Sequence, residues 1–143
     1  MRLYLLDSTL LAAYLSGRKV AVDLIKPWIK KRQTATSILC YGEVIEYLKS
    51  KPNFLEHQSQ LKQLLREIYP YFLTFPILER YADIRRKLRQ PIGPGLIGDI
   101  DTLIAATAVE RKLTLITVDT DFDRGIQGLK IKLIPRNSLN KPK

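Results

Sequence analysis

The stretch DIDTLIAATAVERKLTLITVD, residues 99–119, decides the fold. A helix drawn through 99–112 carries small or apolar residues on nearly all its sides, so it is predicted to be deeply buried. Directly after it, LTLITV (113–118) is a run of apolar and β-branched residues that reads as a buried strand and ends in Asp119. Asp121 and Asp123 follow at every second position. A calcium loop is excluded. Where such a loop needs its glycine stands Arg124, and where it needs its bidentate glutamate stands Lys130. Nor is the preceding segment the incoming helix that such a loop requires. What remains is an aspartate at the end of a buried strand, which is either a turn residue or a ligand.

Working outward, the same alternation recurs. RLYLLD (2–7) is a short apolar run ending in an acid and reads as the first strand, with Ser8 and Thr9 placed to cap a helix that stops near Gly17. A second helix is predicted over 19–32, a strand in QTATSIL (33–39) and a helix through CYGEVIEYLKS (40–50). Asn53 is placed to cap a long helix in which Leu61, Leu64, Leu65 and Ile68 recur at helical spacing. YPYFLTF (69–75) reads as a strand, and the helix after it is opened by Pro76. PIGPGLIG (91–98) holds two prolines and three glycines and can only be a loop. LKIKLI (129–134) reads as the last strand, and the polar, basic tail from Pro135 is predicted to fray. Strands alternating with helices imply parallel βαβ units. The expected fold is therefore α/β, a single-domain three-layer α/β/α sandwich around a mostly parallel sheet of about five strands. The domain is expected over 1–136, with 137–143 as tail.

Composition narrows the function. The length of 143 residues suits one domain with a single core. No run approaches the ~18 apolar residues of a membrane span, and no signal peptide is visible. The single cysteine, Cys40, has no internal disulfide partner, which fits a reducing cytoplasm. A net charge of +10, from 24 Lys and Arg against 14 Asp and Glu, suits an anionic partner such as nucleic acid, or merely a soluble surface. With His57 as the only histidine, a ribonuclease that works through paired imidazoles is excluded.

In a parallel α/β sheet, strand C-termini and the N-termini of the following helices share one rim, and ligands bind there. Four acids fall on it. Asp7 ends the first strand, and Glu43 lies in the first turns of the helix after the second. Asp101 lies at the start of the buried helix, and Asp119 ends the strand that follows. Each has a bland reading. Asp7 can be a helix cap, Glu43 a solvated residue with Glu46 competing for its face, Asp101 and Asp99 acids favoured by a helix dipole, and Asp119 a turn residue. Gathered together, they would repel one another unless a cation is present, and clustered carboxylates suit Mg²⁺ or Mn²⁺.

At these residues the chain resembles the PIN-domain nucleases, and within them the toxin subunits of VapBC-type toxin–antitoxin pairs. The resemblance is carried by LLDSTLL around Asp7, TSILCYGEVI around Glu43, IGDIDTLIAATA around Asp101 and LTLITVDTDF around Asp119. It implies a Mg²⁺- or Mn²⁺-dependent endoribonuclease with Asp7, Glu43, Asp101 and Asp119 as catalytic and metal-site acids. Asp121 is left as an accessory or as an alternative to Asp119, and Asp123 as a turn residue, with Phe122 anchoring the turn in the core. It also implies an RNA substrate, a homodimer and a cognate antitoxin that occupies the acidic groove. The alternative, on the same fold, is a non-catalytic RNA-binding or scaffold module. The basic runs RRKLR (85–89) and KPWIKKR (26–32) serve either reading. Trp28 reads as packed rather than stacked on a base.

Overall fold

In the computed structural model, which describes residues 1–140, the first strand, β1 (Tyr4–Leu6), is also the middle one. To one side lie β2 (Thr34–Ser37) and then β3 (Tyr69–Tyr71); to the other lie β4 (Thr114–Thr117) and then β5 (Lys130–Leu133), all parallel. The spatial order β3-β2-β1-β4-β5 means that the chain winds outward from β1, returns, and winds out the other way. The order reverses between β1 and β4, which is where an open parallel sheet leaves a crevice at its carboxyl edge.

The helices divide into two groups. The first comprises α1 (Ser8–Leu15), α2 (Lys19–Lys30), α3 (Ile38–Leu48) and α4 (Phe54–Leu64), which pack among themselves. The second is α5 (Phe75–Leu88) packed along α6 (Asp99–Arg111). Consecutive strand residues point to opposite faces of a sheet. Leu5 and Leu6, like Leu115 and Ile116, are consecutive and all fully buried, so both faces are covered and the expected three-layer sandwich is present. The run Ile104–Ala108 of α6 is buried without interruption, as its composition predicts. Its threonines are made harmless by bonding back along the helix, Thr102 Oγ1 to Gly98 O and Thr107 Oγ1 to Leu103 O, both 2.8 Å.

Several strands are shorter than their apolar runs because a polar residue inside each run is spent on starting a helix. Ser37 ends β2 and accepts from the Leu39 N–H (3.1 Å), so Ile38 and Leu39 are helical. Thr74 does the same for α5. Asn53 precedes α4, yet its side chain makes no capping hydrogen bond. That helix stops at Leu64, and Ile68, expected on its inner face, is buried instead in the turn that feeds β3. The tail differs from expectation. Arg136–Asn140 form a 3₁₀ turn in which Leu139 is buried, so this stretch is tied down by one apolar side chain; residues 141–143 lie outside the described residues. Trp28 stacks on Tyr4, ring centroids 3.9 Å apart, and so packs α2 onto β1.

Candidate metal centre

The rim is built around the β1–β4 junction. Leu6 pairs with Ile116, so Asp7 stands opposite Thr117, and the Asp7 N–H donates to Ile116 O at 3.0 Å. Asp7 is only 5% exposed. It is the N-cap of α1, with Oδ1 accepting from the Ser8 N–H at 2.8 Å, while Oδ2 accepts from Thr117 Oγ1 at 2.7 Å. The capping role and the rim placement are thus one conformation. Burial raises the affinity of this carboxyl for its proton, and nearby Asp119 adds to the effect. The bonds from Thr117 and Ser8, and the charge of Arg136 from the C-terminal turn, act the other way.

Thr117 is the residue that sequence reasoning left without a role. It is fully buried, and its one hydroxyl both donates to Asp7 and accepts from the Asp119 N–H at 3.1 Å. The ends of β1 and β4 are thereby clamped together. Its only signal in the sequence is a threonine two places before a strand-ending acid.

Two groups of ligand atoms result. In the first, oxygens of Asp7 and Glu43 and Sγ of Cys40 lie within 4.8 Å of one another. Cys40 and Glu43 are one turn apart on α3 and so share its face toward β1. Burial holds the Cys40 thiol protonated, pushed up to about 12, which leaves the two carboxylates as the donors of this group. Among the described residues the buried Glu43 Oε1 has no hydrogen-bond partner, an arrangement that costs free energy unless something positive approaches it. Burial raises its proton affinity, Ser8 lowers it, and Asp7 and the exposed Glu46 raise it further.

In the second group, oxygens of Asp101, Asp119 and Asp121 lie within 4.8 Å of one another. Asp101 is in the first turn of α6. Asp119 caps a 3₁₀ turn, Thr120–Phe122, by accepting from the Asp121 N–H at 2.8 Å, so it is a turn residue and a rim residue at once. Phe122 is buried and anchors that turn, and Asp123 ends it. Asp99 faces away, paired with Arg85 at 2.6 Å and with Tyr81. The two groups meet electrostatically at Asp101. Burial first, then the charges of Asp7, Asp119, Glu43 and Asp121, push its carboxyl up to about 6. All four predicted acids therefore share one field, with Asp121 as a fifth member. Their oxygens are hard donors and the one soft donor stays protonated, so the set fits Mg²⁺ or Mn²⁺.

The rest of the surface sorts plainly. Within RRKLR, Arg85 is committed to Asp99, and Lys87 bonds to Gln127. Among the described residues, no helix is long and apolar enough to cross a membrane.

Comparison with known proteins places the family and the fold. The PIN domain profile matches residues 4–125. Among solved structures, a chain of VapBC2 from Rickettsia felis, bound to a promoter DNA fragment, superposes with TM-score 0.78 at 20% identity, covering 92% of this chain and 98% of that one. A chain of the DNA-bound VapBC from Salmonella typhimurium gives 0.78 at 16% identity, covering 92% and 98%. A chain of a toxin–antitoxin complex from Klebsiella pneumoniae gives 0.69 at 25% identity, covering 88% and 94%. A search of curated proteins finds no significant match.

Proposed function

This chain belongs to the PIN domain family, and from that premise we propose that it is a divalent-metal-dependent endoribonuclease, the toxin of a type II toxin–antitoxin pair. The observation that carries the reading is Asp101, a half-buried carboxyl raised to about 6 by burial and by four neighbouring acids. A binding module gains nothing from such repulsion, whereas a phosphodiesterase needs a place to hold a cation. Asp7, Glu43, Asp101 and Asp119 would hold it, with Asp121 at the margin. When bound there, such a cation would neutralise these acids and would supply Lewis-acid polarisation of an RNA phosphodiester.

The protein's own part is placement. Thr117 and the Ser8 N–H keep both oxygens of Asp7 in fixed directions. Glu43 keeps a buried oxygen that no described residue hydrogen-bonds, and the turn anchored by Phe122 holds Asp119 toward Asp101. The likeness to VapBC and toxin–antitoxin structures supports a separately encoded antitoxin as partner, and a homodimer is part of the same reading. The test is direct. Purified protein should cut structured RNA with Mg²⁺ or Mn²⁺ and stop on addition of EDTA. RNA binding with no cleavage in any metal would make the chain a non-catalytic module instead.

A further inference from the structure

A concavity of about 690 Å³ lies between the C-terminal half of α5 and the chain leading into β5. Its walls include Arg80, Ile84, Lys87, Ile92, Arg124 and Ile126, with one acid, Asp83, among them. The volume is within the roughly 300–1,000 Å³ of ligand pockets. Ile84 and Ile126 are buried and form an apolar floor, while Ile92 is 79% exposed at the lip. The wall is preformed. Residues 93–95 are hydrogen-bonded onto the end of α5, Gly93 N–H to Arg89 O and Gly95 N–H to Leu88 O. They lie so close that a Cβ at Gly93 would sit 2.0 Å from Lys87 O.

Arg124 joins this cleft to the acidic rim. Its guanidinium is 3.3 Å from Asp121 Oδ1, and Asp121 is within 4.8 Å of the ligand oxygens of Asp101 and Asp119. The pair is long, three residues apart, and partly exposed on both sides, so it holds Arg124 only weakly. Its other contact, to Gly95 O, is longer still at 3.4 Å, so a stronger anion can draw the guanidinium from Asp121.

We infer that this cleft is the subsite for the nucleotide beside the scissile phosphate of single-stranded RNA, with Arg124 and Lys87 as its phosphate-positioning residues. The inference rests on the ribonuclease reading above and deepens it. Acids that hold a cation repel the rest of a polyanion, so a strand bound there needs cations on its flank. Here the flank offers a forked guanidinium first, a lysine behind it, and an apolar floor on which a base can lie. A protein partner that neutralises the acids would bring positive charge toward Arg124 and meet repulsion, so a polyanion is the better occupant.

The experiment measures affinity for a short fluorescein-labelled oligouridylate by anisotropy across a salt series, in EDTA so that no metal-dependent cleavage occurs. Lys87→Glu and Arg124→Ala should each weaken binding roughly three- to tenfold and lower the salt slope by about 0.7 per lost contact. Arg124→Lys should fall in between. Lys62→Glu, the same charge change at an exposed lysine of α4, should have little effect. The rise in Tm caused by Mg²⁺ should survive in all four variants, marking the acids as intact. Equal losses for Lys87→Glu and Lys62→Glu, or an unchanged slope in Arg124→Ala and Arg124→Lys, would overturn the subsite while leaving the ribonuclease reading standing. Cleft-dependent binding of polyglutamate in preference to RNA would make it an acidic-peptide site. Absence of RNA binding by the parent protein, together with absence of metal-dependent cleavage, would sink the ribonuclease reading itself.

Discussion

The two halves of the acidic rim are held by opposite means. The inner half is anchored at Asp7, whose two oxygens are locked by hydrogen bonds at the centre of the sheet, with Glu43 beside it on α3. The outer half, Asp101 with Asp119 and Asp121, sits on a helix start and a short turn, partly exposed. Asp7 is a structural residue as well as a rim acid, because a capping N–H and a buried hydroxyl both depend on it. Asp101 carries the electrostatic cost of the cluster and receives no hydrogen bond from another side chain among the described residues. A single substitution should therefore affect folding on the inner side and metal response on the outer side.

The largest effect is expected at Asp7. Asp7→Ala removes a helix cap, about 1 kcal/mol, and strands the buried Thr117 hydroxyl, about 1–3 kcal/mol. Urea denaturation in EDTA should show a loss of about 2–4 kcal/mol, along with loss of cleavage. Stability equal to wild type would erase the distinction between the halves. Next comes the clamp between them. Thr117→Val keeps the volume and deletes the hydroxyl, leaving Asp7 Oδ2 and the Asp119 N–H without it. A loss of about 1–3 kcal/mol is expected, with a smaller Mg²⁺-induced rise in Tm. A variant with the full metal response would show that the clamp serves folding alone.

The outer half should behave in the opposite sense. Asp101→Asn forfeits about 0.3–1 kcal/mol of helix-terminus charge but relieves repulsion from four acids. Cleavage should vanish while the Tm in EDTA is no lower than wild type, and Mg²⁺ should raise only the wild type. A clearly lower Tm in EDTA would make Asp101 a structural cap and return Asp99 to consideration. The smallest effect is on pH. The Asp101 carboxyl is raised from 3.8 to about 6 in the folded protein, so between those values the folded state binds more protons than the unfolded state. Stability must then fall as pH rises through this window, and the shifts at Asp7 and Glu43 have the same sign. Metal-free wild type should melt higher at pH 5 than at pH 7.5, and Asp101→Asn should flatten that difference. A wild type that melts higher at pH 7.5 would contradict the repulsion.

The order of these effects also separates what one sequence makes legible from what it hides. Asp7 and Asp119 were readable because a buried strand that ends in an acid delivers it to the rim whatever the strand order. Asp101 was readable because the helix after the PIGPGLIG loop has to begin on that rim. Thr117 was not, since a threonine at a strand end looks like any β-branched filler until β1 and β4 are known to be neighbours. The strand end at Ser37 and the helix start at Thr74 were hidden because a hydroxyl residue is at home in a strand and in a cap alike. The turn at Arg136–Asn140 was hidden because one leucine, Leu139, in a polar tail carries no periodic signal. Arg124 was passed over as the residue that fails a calcium loop, although its neighbours in space give it two carbonyl and carboxylate contacts.

The bond between Thr117 and Asp7 spans 110 residues of chain. During synthesis, at roughly 5–20 residues per second, the first strand is complete long before its neighbour in the finished sheet exists. Through that interval of roughly 5–20 s, β1 can pair with β2 but Asp7 lacks its partner. Asp101 and Asp119 are themselves among the last acids to be made. A nascent or prematurely terminated chain therefore contains half of the rim and none of its closure, and the ribonuclease activity proposed above would be withheld from the ribosome until Asp119 has been delivered.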